Sequence, residues 1–421
     1  MRRRGLLGER LSHSFSPLVH AELGDYEYRL YEKKPEELET FLSALRRGTF
    51  NGFDGFDGLN VTIPYKKAVM PFCDGLSETA RSIGSVNTLT RLADGSLYGD
   101  NTDCFGFAYL LKKTGADPAA GKTIILGSGG SSLMAREVLR DMGAKEAVVI
   151  SRHGDDNYEN ISKHRDAAII VNTTPVGMYP DNGASPLADL GIFQECQAVI
   201  DLIYNPARTE LLAQAEERGI SCAGGLAMLV AQAKRSAELF TRTPIPDEQI
   251  ETIVSKIARL TRNIVLIGMP GCGKTSIGAA LAEKMGREFA DTDEWVVQTA
   301  GKSIPAIFSE DGEDVFRRLE NEALQTLCKR SGLVVATGGG IVKRPENRRV
   351  IRQNGVIVFL DRDAAQLPTS GRPLSEREGV EALAAARLPL YTQWSEYRIP
   401  VRGIEKTAAD ICAQLSGGAG L

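Results

Sequence analysis

The chain has 421 residues, a length that accommodates two to four domains. Hydrophobic residues make up 43% and charged residues 25% of the chain, which excludes a disordered or fibrous protein. Fifty Lys and Arg residues oppose 54 Asp and Glu residues, and the resulting net charge of −4 excludes the basic field that non-specific nucleic-acid binding requires.

The chain contains seven cysteines, and none of them forms a CxxC pair. This spacing indicates reduced thiols, without a zinc or disulfide framework, and predicts a cytoplasmic location. Glu9 and Arg10 interrupt the apolar stretch that follows the basic N-terminus, and no run approaches 18 apolar residues. We therefore expect no signal peptide and no contact with a membrane.

Short apolar runs that lead into glycine turns recur along the chain, at 124–130, 264–275 and 333–340. This alternation is typical of α/β architecture. Between the first two runs, a turn that contains proline precedes Ile250, Ile253, Ile257 and Leu260, which recur near helical spacing. The pattern predicts a connecting helix and a division of the chain near residue 260.

Polar clusters interrupt the apolar surroundings of the first hundred residues, at 12–17, 60–66 and 86–103. Each of these residues alone is more often a solvated surface group than a ligand-binding one. Together they offer the donors and acceptors that a polyhydroxylated anion requires: Ser14, Ser16, Thr62, Lys66, Asn87 and Asp103.

Residues 122–152 have the pattern of a strand, a glycine turn, a helix and a second strand. This is the βαβ unit that binds dinucleotides. We expect Gly127 to form the tight turn, and Gly129 and Gly130 to let a pyrophosphate approach the backbone amides. Ser132 stands where the third glycine of the motif is usual, so a turn without a ligand stays an alternative.

The second strand of this unit ends at Ser151 and Arg152. An enzyme that uses NAD would carry an acidic residue there, whereas an arginine suits the 2′-phosphate of NADP. The sequence therefore favours NADP(H). A solvated surface arginine is the alternative, because Asp155 and Asp156 follow closely.

The second half begins with a complete Walker A motif, GMPGCGKT at 268–275, directly after the apolar run 263–267. The motif predicts that backbone amides cradle the phosphates of ATP, that Lys274 reaches the β- and γ-phosphates and that Thr275 binds Mg²⁺. The predicted ATP site comprises Gly271, Cys272, Gly273, Lys274, Thr275 and Ser276.

Several residues beyond the Walker motif are candidates for binding the molecule that accepts the phosphate. Asp291 and Asp293 lie two positions apart after a strand and can serve different partners. Arg317 and Glu320 lie three positions apart on a predicted helix, where the acid can hold the arginine in place to bind the carboxylate of a substrate. An exposed ion pair on the helix surface is the alternative. Glycines 338–340 can meet an anion closely. A lid segment around Arg372 and an arginine before a helix, Arg387, complete the set.

Over residues 5–240 the chain resembles shikimate dehydrogenase. The polar clusters, the glycine turn and the segments 172–180, 201–206 and 224–233 occur in the order of that family. The resemblance implies that Lys66 and Asp103 are the catalytic pair. It also implies a substrate site comprising Ser14, Ser16, Thr62, Asn87, Tyr204 and Gln232. The family often has Asn-Arg-Thr where this chain has Ser151, Arg152 and His153.

From residue 263 to about 412 the chain resembles shikimate kinase, a small P-loop kinase. The resemblance implies that Asp291 assists Mg²⁺, that Asp293 activates the acceptor hydroxyl and that Arg317 and Arg387 clamp a carboxylate. Gly338, Gly339 and Gly340 would line this site, and Arg372 would stabilise the transferring phosphoryl group. The lid segment 360–376 is shorter than usual in the family and lacks an arginine midway.

The two resemblances predict an α/β protein in which four segments follow one another. A substrate domain, 1–103, is completed by a helix at 226–240 and is followed by a Rossmann NADP domain at 104–225. A connecting helix at 241–262 then leads to a P-loop kinase domain with a central parallel sheet, 263–421. The predicted catalytic residues are Lys66, Asp103, Asp293 and Arg372, and the predicted metal ligands are Thr275 and Asp291.

The predicted activities are consecutive: NADPH-dependent reduction of 3-dehydroshikimate to shikimate, then phosphorylation of shikimate by ATP with Mg²⁺. One alternative keeps both folds but assigns quinate and NAD to the first half. Another makes one half a ligand-sensing module without catalysis, although such a module would need only the binding residues. The expected partners are small molecules, with no nucleic acid, and the oligomeric state stays open between monomer and homodimer.

Overall fold

The computed structural model describes residues 3–11, 14–47, 56–367 and 379–417. Contacts between Cα atoms divide the chain into two compact units. The first unit comprises Met1–Met178, Ala184–Tyr204 and Thr209–Ile257, and the second comprises Tyr179–Gly183, Asn205–Arg208 and Ala258–Leu421. The division into four segments stays a prediction.

The first unit begins with a mixed six-stranded sheet. Its strands are β1 (Arg3–Gly8), β2 (Glu27–Glu32), β3 (Phe56–Val61), β4 (Gly75–Leu76), β5 (Thr88–Arg91) and β6 (Leu97–Asp100). Their order is β2-β1-β3-β5-β6-β4, and β5 runs antiparallel to both of its neighbours. Three helices accompany this sheet: α1 (Ser16–His20), α2 (Leu38–Arg47) and α3 (Glu78–Ile83).

A second sheet in this unit is entirely parallel, with the order β11-β10-β9-β7-β8. Its strands are β7 (Lys122–Leu126), β8 (Glu146–Ile150), β9 (Ala167–Asn172), β10 (Ala198–Asp201) and β11 (Ser221–Gly224). Its helices are α4 (Asp103–Thr114), α5 (Gly130–Asp141) and α6 (Glu210–Glu217). Ile124, Ile125 and Leu126 of β7 are fully buried, as expected where helices cover both faces of a parallel sheet. The predicted Rossmann fold is confirmed.

Two further helices end the first unit: α7 (Leu226–Thr241) and α8 (Glu248–Thr261). Helix α7 packs along α4 and also contacts β3 and β5, so it joins the two sheets. Helix α8 begins at Glu248, because Arg242 adopts a left-handed conformation that ends α7 and Pro244 and Pro246 follow it. The predicted connecting helix therefore occupies only the second part of 241–262.

The second unit has a five-stranded sheet whose strands are all parallel, in the order β13-β14-β12-β15-β16. The strands are β12 (Asn263–Ile267), β13 (Phe289–Asp291), β14 (Val334–Ala336), β15 (Gly355–Asp361) and β16 (Tyr397–Pro400). The helices are α9 (Lys274–Met285), α10 (Thr292–Ala300), α11 (Ile304–Glu310), α12 (Glu313–Lys329), α13 (Pro345–Asn354), α14 (Val380–Trp394) and α15 (Ile404–Gly417). The predicted P-loop fold with a central parallel sheet is confirmed.

One prediction about this unit is wrong. Arg387 lies inside α14 and not before a helix, and Pro389 lies inside the same helix. A proline disfavours a helix interior, but Arg387, Tyr391 and Trp394 are buried on one face of α14, and this packing outweighs the local preference. Arg372 and its lid segment lie outside the described residues. Among the residues described, no helix combines the length and apolar character needed to cross a membrane.

Candidate active sites

Lys66 and Asp103, the predicted catalytic pair, are in direct contact. The Lys66 Nζ donates a hydrogen bond of 2.6 Å to Asp103 Oδ2. Asp103 is the first residue of α4, and its backbone N–H donates to Asn101 Oδ1 at 3.2 Å. The Lys66 side chain keeps 28% of its surface exposed, against 12% for that of Asp103. The pair therefore presents an ammonium group that is held on one side and accessible on the other.

Asn87 and Gln232, two of the predicted substrate residues, form a second contacting pair. Asn87 Nδ2 donates to Gln232 Oε1 at 3.0 Å, which connects the residue before β5 to helix α7. The backbone N–H of Thr102 donates to Asn87 Oδ1 at 2.8 Å. Because Thr102 directly precedes Asp103, this bond places the amide pair next to the charged pair.

The other predicted substrate residues lie on three separate segments. Ser14 Oγ accepts a hydrogen bond of 3.2 Å from the backbone N–H of Ser16. The ring of Phe15, between them, lies 5.3 Å from that of Tyr204. Burial raises the pKa of the Tyr204 hydroxyl, which keeps it a neutral donor. Thr62 directly follows β3, and among the described residues its hydroxyl bonds to none of these side chains.

The glycine turn after β7 has the geometry of a phosphate cradle. Gly127 has a φ of +103°, and a Cβ there would lie 2.8 Å from Thr174 Cγ2. A Cβ on Gly129 or Gly130 would meet no atom within 4 Å, so the first turn of α5 is open to a ligand. Exposed amides at a helix start suit the pyrophosphate of a dinucleotide. Ser132 is 2% exposed and occupies the place of the missing third glycine.

Arg152 is exposed just beyond β8, and Ser151 beside it is half-buried. The Arg152 guanidinium forms no ion pair with another described residue. Asp156, which could have neutralised it, pairs with His164 Nε2 at 3.0 Å. The positive charge at the end of β8 therefore remains available to an anionic group.

In the second unit, the Walker motif forms the loop between β12 and α9. Gly271 and Gly273 have φ values of +80° and +104°, a backbone conformation that favours glycine. Lys274 Nζ donates to the carbonyl oxygens of Gly268 and Met269, both at 2.9 Å. The Cys272 side chain is fully buried in the core, so only its backbone can serve the predicted ATP site.

A cavity of about 680 Å³ extends from this loop. The predicted acceptor residues that line it include Asp291, Asp293, Arg317, Arg387 and the three glycines 338–340. Asp291 Oδ2 accepts a hydrogen bond of 2.7 Å from Thr275 Oγ1. The two predicted metal ligands are thus in contact, and both offer oxygen.

Arg317 and Glu320 form a buried ion pair. Arg317 Nη1 donates to Glu320 Oε2 at 2.7 Å, and the two residues are 6% and 1% exposed. The alternative of an exposed surface pair is therefore wrong. Both groups retain unused capacity, because Arg317 Nε and Glu320 Oε1 are buried without a hydrogen-bond partner.

Further unpaired atoms lie around the same cavity. Asp293 Oδ1, Arg387 Nε and Arg387 Nη2 are buried and have no hydrogen-bond partner. Buried polar atoms are normally paired, since leaving them unpaired is costly. Two guanidinium groups and a carboxylate that each keep at least one unpaired buried atom point to a bound molecule with its own carboxylate and hydroxyl groups.

Burial, together with the nearby Asp291 and Glu320 carboxylates, raises the pKa of Asp293 to about 6. Lys274 and Arg317 oppose this shift. A carboxyl that titrates near neutrality is suited to accept a proton from a hydroxyl group.

The three glycines after β14 make room for these side chains. A Cβ on Gly338 would lie 2.3 Å from Glu320 Oε1, and one on Gly340 would lie 2.0 Å from Arg317 Nη1. The Gly339 carbonyl accepts a hydrogen bond of 3.1 Å from Arg387 Nη1. A side chain at 338 or 340 would therefore displace the Glu320 carboxylate or the Arg317 guanidinium from the cavity wall.

The sequence did not indicate several polar residues next to the first site, among them Asn60, Thr88, Thr102 and Ser236. All four are less than 9% exposed. A signal was present, because Asn60 lies in the polar cluster 60–66 and Ser236 lies one helical turn after Gln232. Periodicity alone could not show that residues so distant in sequence meet.

Two family models match the chain. Residues 6–89 match the shikimate dehydrogenase substrate-binding domain, and residues 270–415 match shikimate kinase.

Similar proteins cover the first part of the chain. A shikimate dehydrogenase (NADP(+)) of Methanopyrus kandleri is 38% identical over 278 residues, which are 59% of this chain and 93% of that protein. The solved structure of a chorismate mutase/shikimate 5-dehydrogenase fusion protein from Clostridium acetobutylicum has a TM-score of 0.57 and 33% identity, over 61% of this chain and 97% of that one. Shikimate 5-dehydrogenase from Thermus thermophilus, solved with NADP(H) and shikimate, has a TM-score of 0.54 and 31% identity, over 61% and 99% of the two chains.

Proposed function

The chain belongs to the shikimate dehydrogenase family and carries a shikimate kinase domain, and we propose that it catalyses two consecutive reactions on one metabolite. The first is the NADPH-dependent reduction of 3-dehydroshikimate to shikimate. The second is the transfer of a phosphoryl group from ATP to the 3-hydroxyl of shikimate. The relatives support the first activity and the match to the shikimate kinase family model supports the second, whereas the direction of the first reaction is our proposal.

The observation that carries the dehydrogenase proposal is the 2.6 Å contact between Lys66 Nζ and Asp103 Oδ2. When a ketone is reduced, negative charge develops on its oxygen. An ammonium group in hydrogen-bond reach stabilises this charge and supplies the proton. Asp103 holds one hydrogen of Lys66, which directs the others toward the open side. Asn87 and Gln232 lie next to the pair and would hold the hydroxyl groups of the substrate.

NADPH supplies the hydride for this reduction when it is bound. The residues present fit the cofactor, since Gly129 and Gly130 leave open space at the start of α5. Gly127, Gly129 and Gly130 would hold the pyrophosphate, and Ser151 and Arg152 the 2′-phosphate. Arg152 has no ion-pair partner in the described part of the chain, which supports this role.

The kinase proposal rests on the unpaired guanidinium and carboxylate atoms around the cavity beside the P-loop. Arg317 and Arg387 would hold the substrate carboxylate with the nitrogen atoms that now lack partners. Asp293 would accept the hydrogen of the 3-hydroxyl through its unpaired Oδ1 and so favour attack on the γ-phosphate. The loop amides and Lys274 would hold the phosphates. The predicted role of Arg372, in the lid outside the described residues, remains part of the proposal.

Mg²⁺ fits the contact between Thr275 and Asp291. A hydroxyl and a carboxylate oxygen are 2.7 Å apart there, and Mg²⁺ commonly takes one or two such protein ligands together with phosphate oxygens. Thr275 and Asp291 would hold the ion, which neutralises phosphate charge when it is bound. A cytoplasmic location and a monomeric or homodimeric state are also part of the proposal.

A coupled assay tests both activities in one experiment. The full chain receives 3-dehydroshikimate, NADPH and MgATP, and NADPH loss, shikimate and ADP are measured together. We expect shikimate to appear first and ADP formation to follow it. Lys274→Ala should stop ADP formation while NADPH loss continues. Parallel reactions with NADH and with quinate test the alternative, which preferential use of those compounds would favour.

A further inference from the structure

A cluster of uncharged polar side chains lies behind the proposed dehydrogenase site. It comprises Tyr28 on β2, Asn60 on β3, Thr88 on β5 and Ser236 on α7. Asn60 is 8% exposed, and Thr88 and Ser236 are fully buried. Uncharged hydroxyl and amide groups at such depth are costly unless every donor and acceptor is paired. The Thr102 hydroxyl, before α4, also contacts Thr88, Ser236 and Asn87 Oδ1 at 3.0–3.3 Å.

One bond identifies which atom is the oxygen and which is the nitrogen in both amide side chains of the site. The backbone N–H of Thr102 can only donate, so the Asn87 atom 2.8 Å away from it is the oxygen Oδ1. Asn87 Nδ2 therefore faces Gln232, which must present Oε1 at 3.0 Å. Gln232 Nε2 then has no partner within the cluster, and it becomes the donor left for a ligand.

The hydroxyl groups behind Asn87 can be ordered in the same way. Ser236 Oγ uses its only hydrogen to bond the Gln232 carbonyl at 3.0 Å. Asn60 Nδ2 donates to Ser236 Oγ at 2.8 Å and to Thr88 Oγ1 at 3.1 Å. Tyr28 holds Asn60 in this orientation, because its hydroxyl donates to Asn60 Oδ1 at 2.8 Å.

Thr88 completes the sequence of bonds. Its hydroxyl accepts from Asn60 Nδ2 and also lies 2.9 Å from Ser236 Oγ and 3.3 Å from Thr102 Oγ1, but the Asn87 amide oxygen is the strongest acceptor within its reach. The Thr88 hydroxyl lies 2.9 Å from Asn87 Oδ1 and donates to it. The hydrogen bonds thus run in one direction, from Tyr28 through Asn60 and Thr88 to Asn87 and Gln232.

We propose that Thr88, held by Asn60 and Ser236, is a positioning residue for the dehydrogenase substrate. It keeps the Asn87 amide oriented so that Gln232 turns its Nε2 toward the ligand. The inference rests on the proposed function of the first unit, because it assumes that Asn87 and Gln232 bind the substrate. Thr88 itself is fully buried and touches no ligand.

The test is a pair of substitutions in the full chain, assayed with shikimate and NADP. Thr88→Val keeps the shape of the side chain and removes the hydroxyl. Asn87 Oδ1 then keeps its bonds from the backbone N–H and the hydroxyl of Thr102 but loses its third donor, so we expect the KM for shikimate to rise roughly 2- to 10-fold, the loss of one hydrogen bond. The kcat should stay within about threefold, since Lys66 and Asp103 are untouched. Thr88→Ser retains the hydroxyl and should restore the wild-type KM.

The same substitution in an Asn87→Ala chain distinguishes a positioning role of Thr88 from a general loss of structure. In an Asn87→Ala chain, Thr88→Val should cause no further loss of kcat/KM, because the residue through which Thr88 acts is gone. An equal loss in both backgrounds, or a wild-type KM for Thr88→Val, would overturn the proposal. If Thr88→Val does not fold, Ser236→Ala takes its place with the same expected rise in KM and the same two overturning outcomes.

The failure of the proposed function would look different. In that case the unmodified chain would not oxidise shikimate with NADP at all. An active unmodified chain that is indifferent to Thr88→Val contradicts only the positioning role.

Discussion

Lys66 is the residue on which the proposed reduction depends most directly. Lys66→Ala removes the ammonium group that would donate the proton, and we expect kcat to fall roughly 10²- to 10⁴-fold with KM changed only a few-fold. Lys67→Ala is the matched control, since Lys67 is an exposed neighbour with the same charge. Steady-state kinetics with 3-dehydroshikimate measures both. Wild-type kcat in Lys66→Ala would place the acid elsewhere.

Asp293 makes the kinase unit sensitive to pH. Its pKa is raised from 3.8 to about 6 in the folded state, so the folded chain binds more protons than the unfolded chain between these values. The contribution of Asp293 to the free energy of unfolding should therefore fall as pH rises from about 4 to 6, by roughly 3 kcal/mol, and then level off. Activity should change in the opposite sense, because only the ionised carboxylate can accept the hydroxyl proton.

Asp293→Asn separates these two effects. The variant should be more stable than the wild type above pH 6, should lose the slope between pH 4 and 6, and should have a strongly reduced kcat. Chemical unfolding at several pH values and kinase assays measure this. Glu294→Gln, at the exposed adjacent position, should change neither property. A wild-type pH profile of stability in Asp293→Asn would contradict the assignment.

At the scale of elements, the turn after β14 and the helix α12 act as one unit. Gly340→Ala would bring a Cβ to 2.0 Å from Arg317 Nη1 and so displace the guanidinium. We expect this change to raise the KM for shikimate about as much as Arg317→Ala does, by roughly 10- to 100-fold. The double variant should be no worse than either single one. Additive losses would show that Gly340 and Arg317 act separately. Arg318→Ala, which removes an exposed ion pair with Glu322, is the control and should leave the KM unchanged.

The elements also show where sequence patterns suffice. The strand 263–267 was predicted with its bounds, and the unit 122–152 with its strand, turn, helix and strand, because buried parallel strands are continuous apolar runs that end in glycine turns. The sequence pattern placed the start of a helix after Arg387, and this prediction was wrong. A proline two positions later favours a helix boundary locally. Arg387 and Tyr391 are nevertheless buried and both donate hydrogen bonds to the Gly339 carbonyl, and this packing keeps α14 intact through Pro389.

The sites were predicted less evenly than the elements. Residues with charges in motifs, such as Lys66, Lys274 and Asp293, could be found from sequence. The burial of the Arg317–Glu320 pair could not be predicted from sequence. The contact between Asn87 and Gln232 could not be predicted either, because 145 residues separate the two amides and only the packing of α7 against the first sheet brings them together. Some residues of the polar cluster behind Asn87 lie in polar stretches of the sequence, but for the same reason no sequence pattern shows that they meet.

At the scale of the whole molecule, α8 sets the end of the first unit. Ile250, Ile253 and Ile257 are buried in one apolar cluster with Val19 and Val230. The Glu251 carboxylate also accepts hydrogen bonds from Tyr109 and Lys113 on α4. This helix therefore belongs to the body of the dehydrogenase and is not a neutral spacer.

A chain that ends at Thr261 should therefore keep dehydrogenase activity, since Lys66, Asp103, Asn87 and Gln232 all lie in the first unit. A chain that ends at Asp247 loses α8 and exposes the apolar cluster, so we expect it to be insoluble or much less stable. Point substitutions in the full chain give the matched comparison. Ile253→Ala should lower the unfolding free energy of the first unit by about 2–4 kcal/mol, and Leu260→Ala, at a side chain that is 49% exposed, by less than about 0.5 kcal/mol. Equal stability of the two truncated chains would show that α8 contributes nothing to this unit.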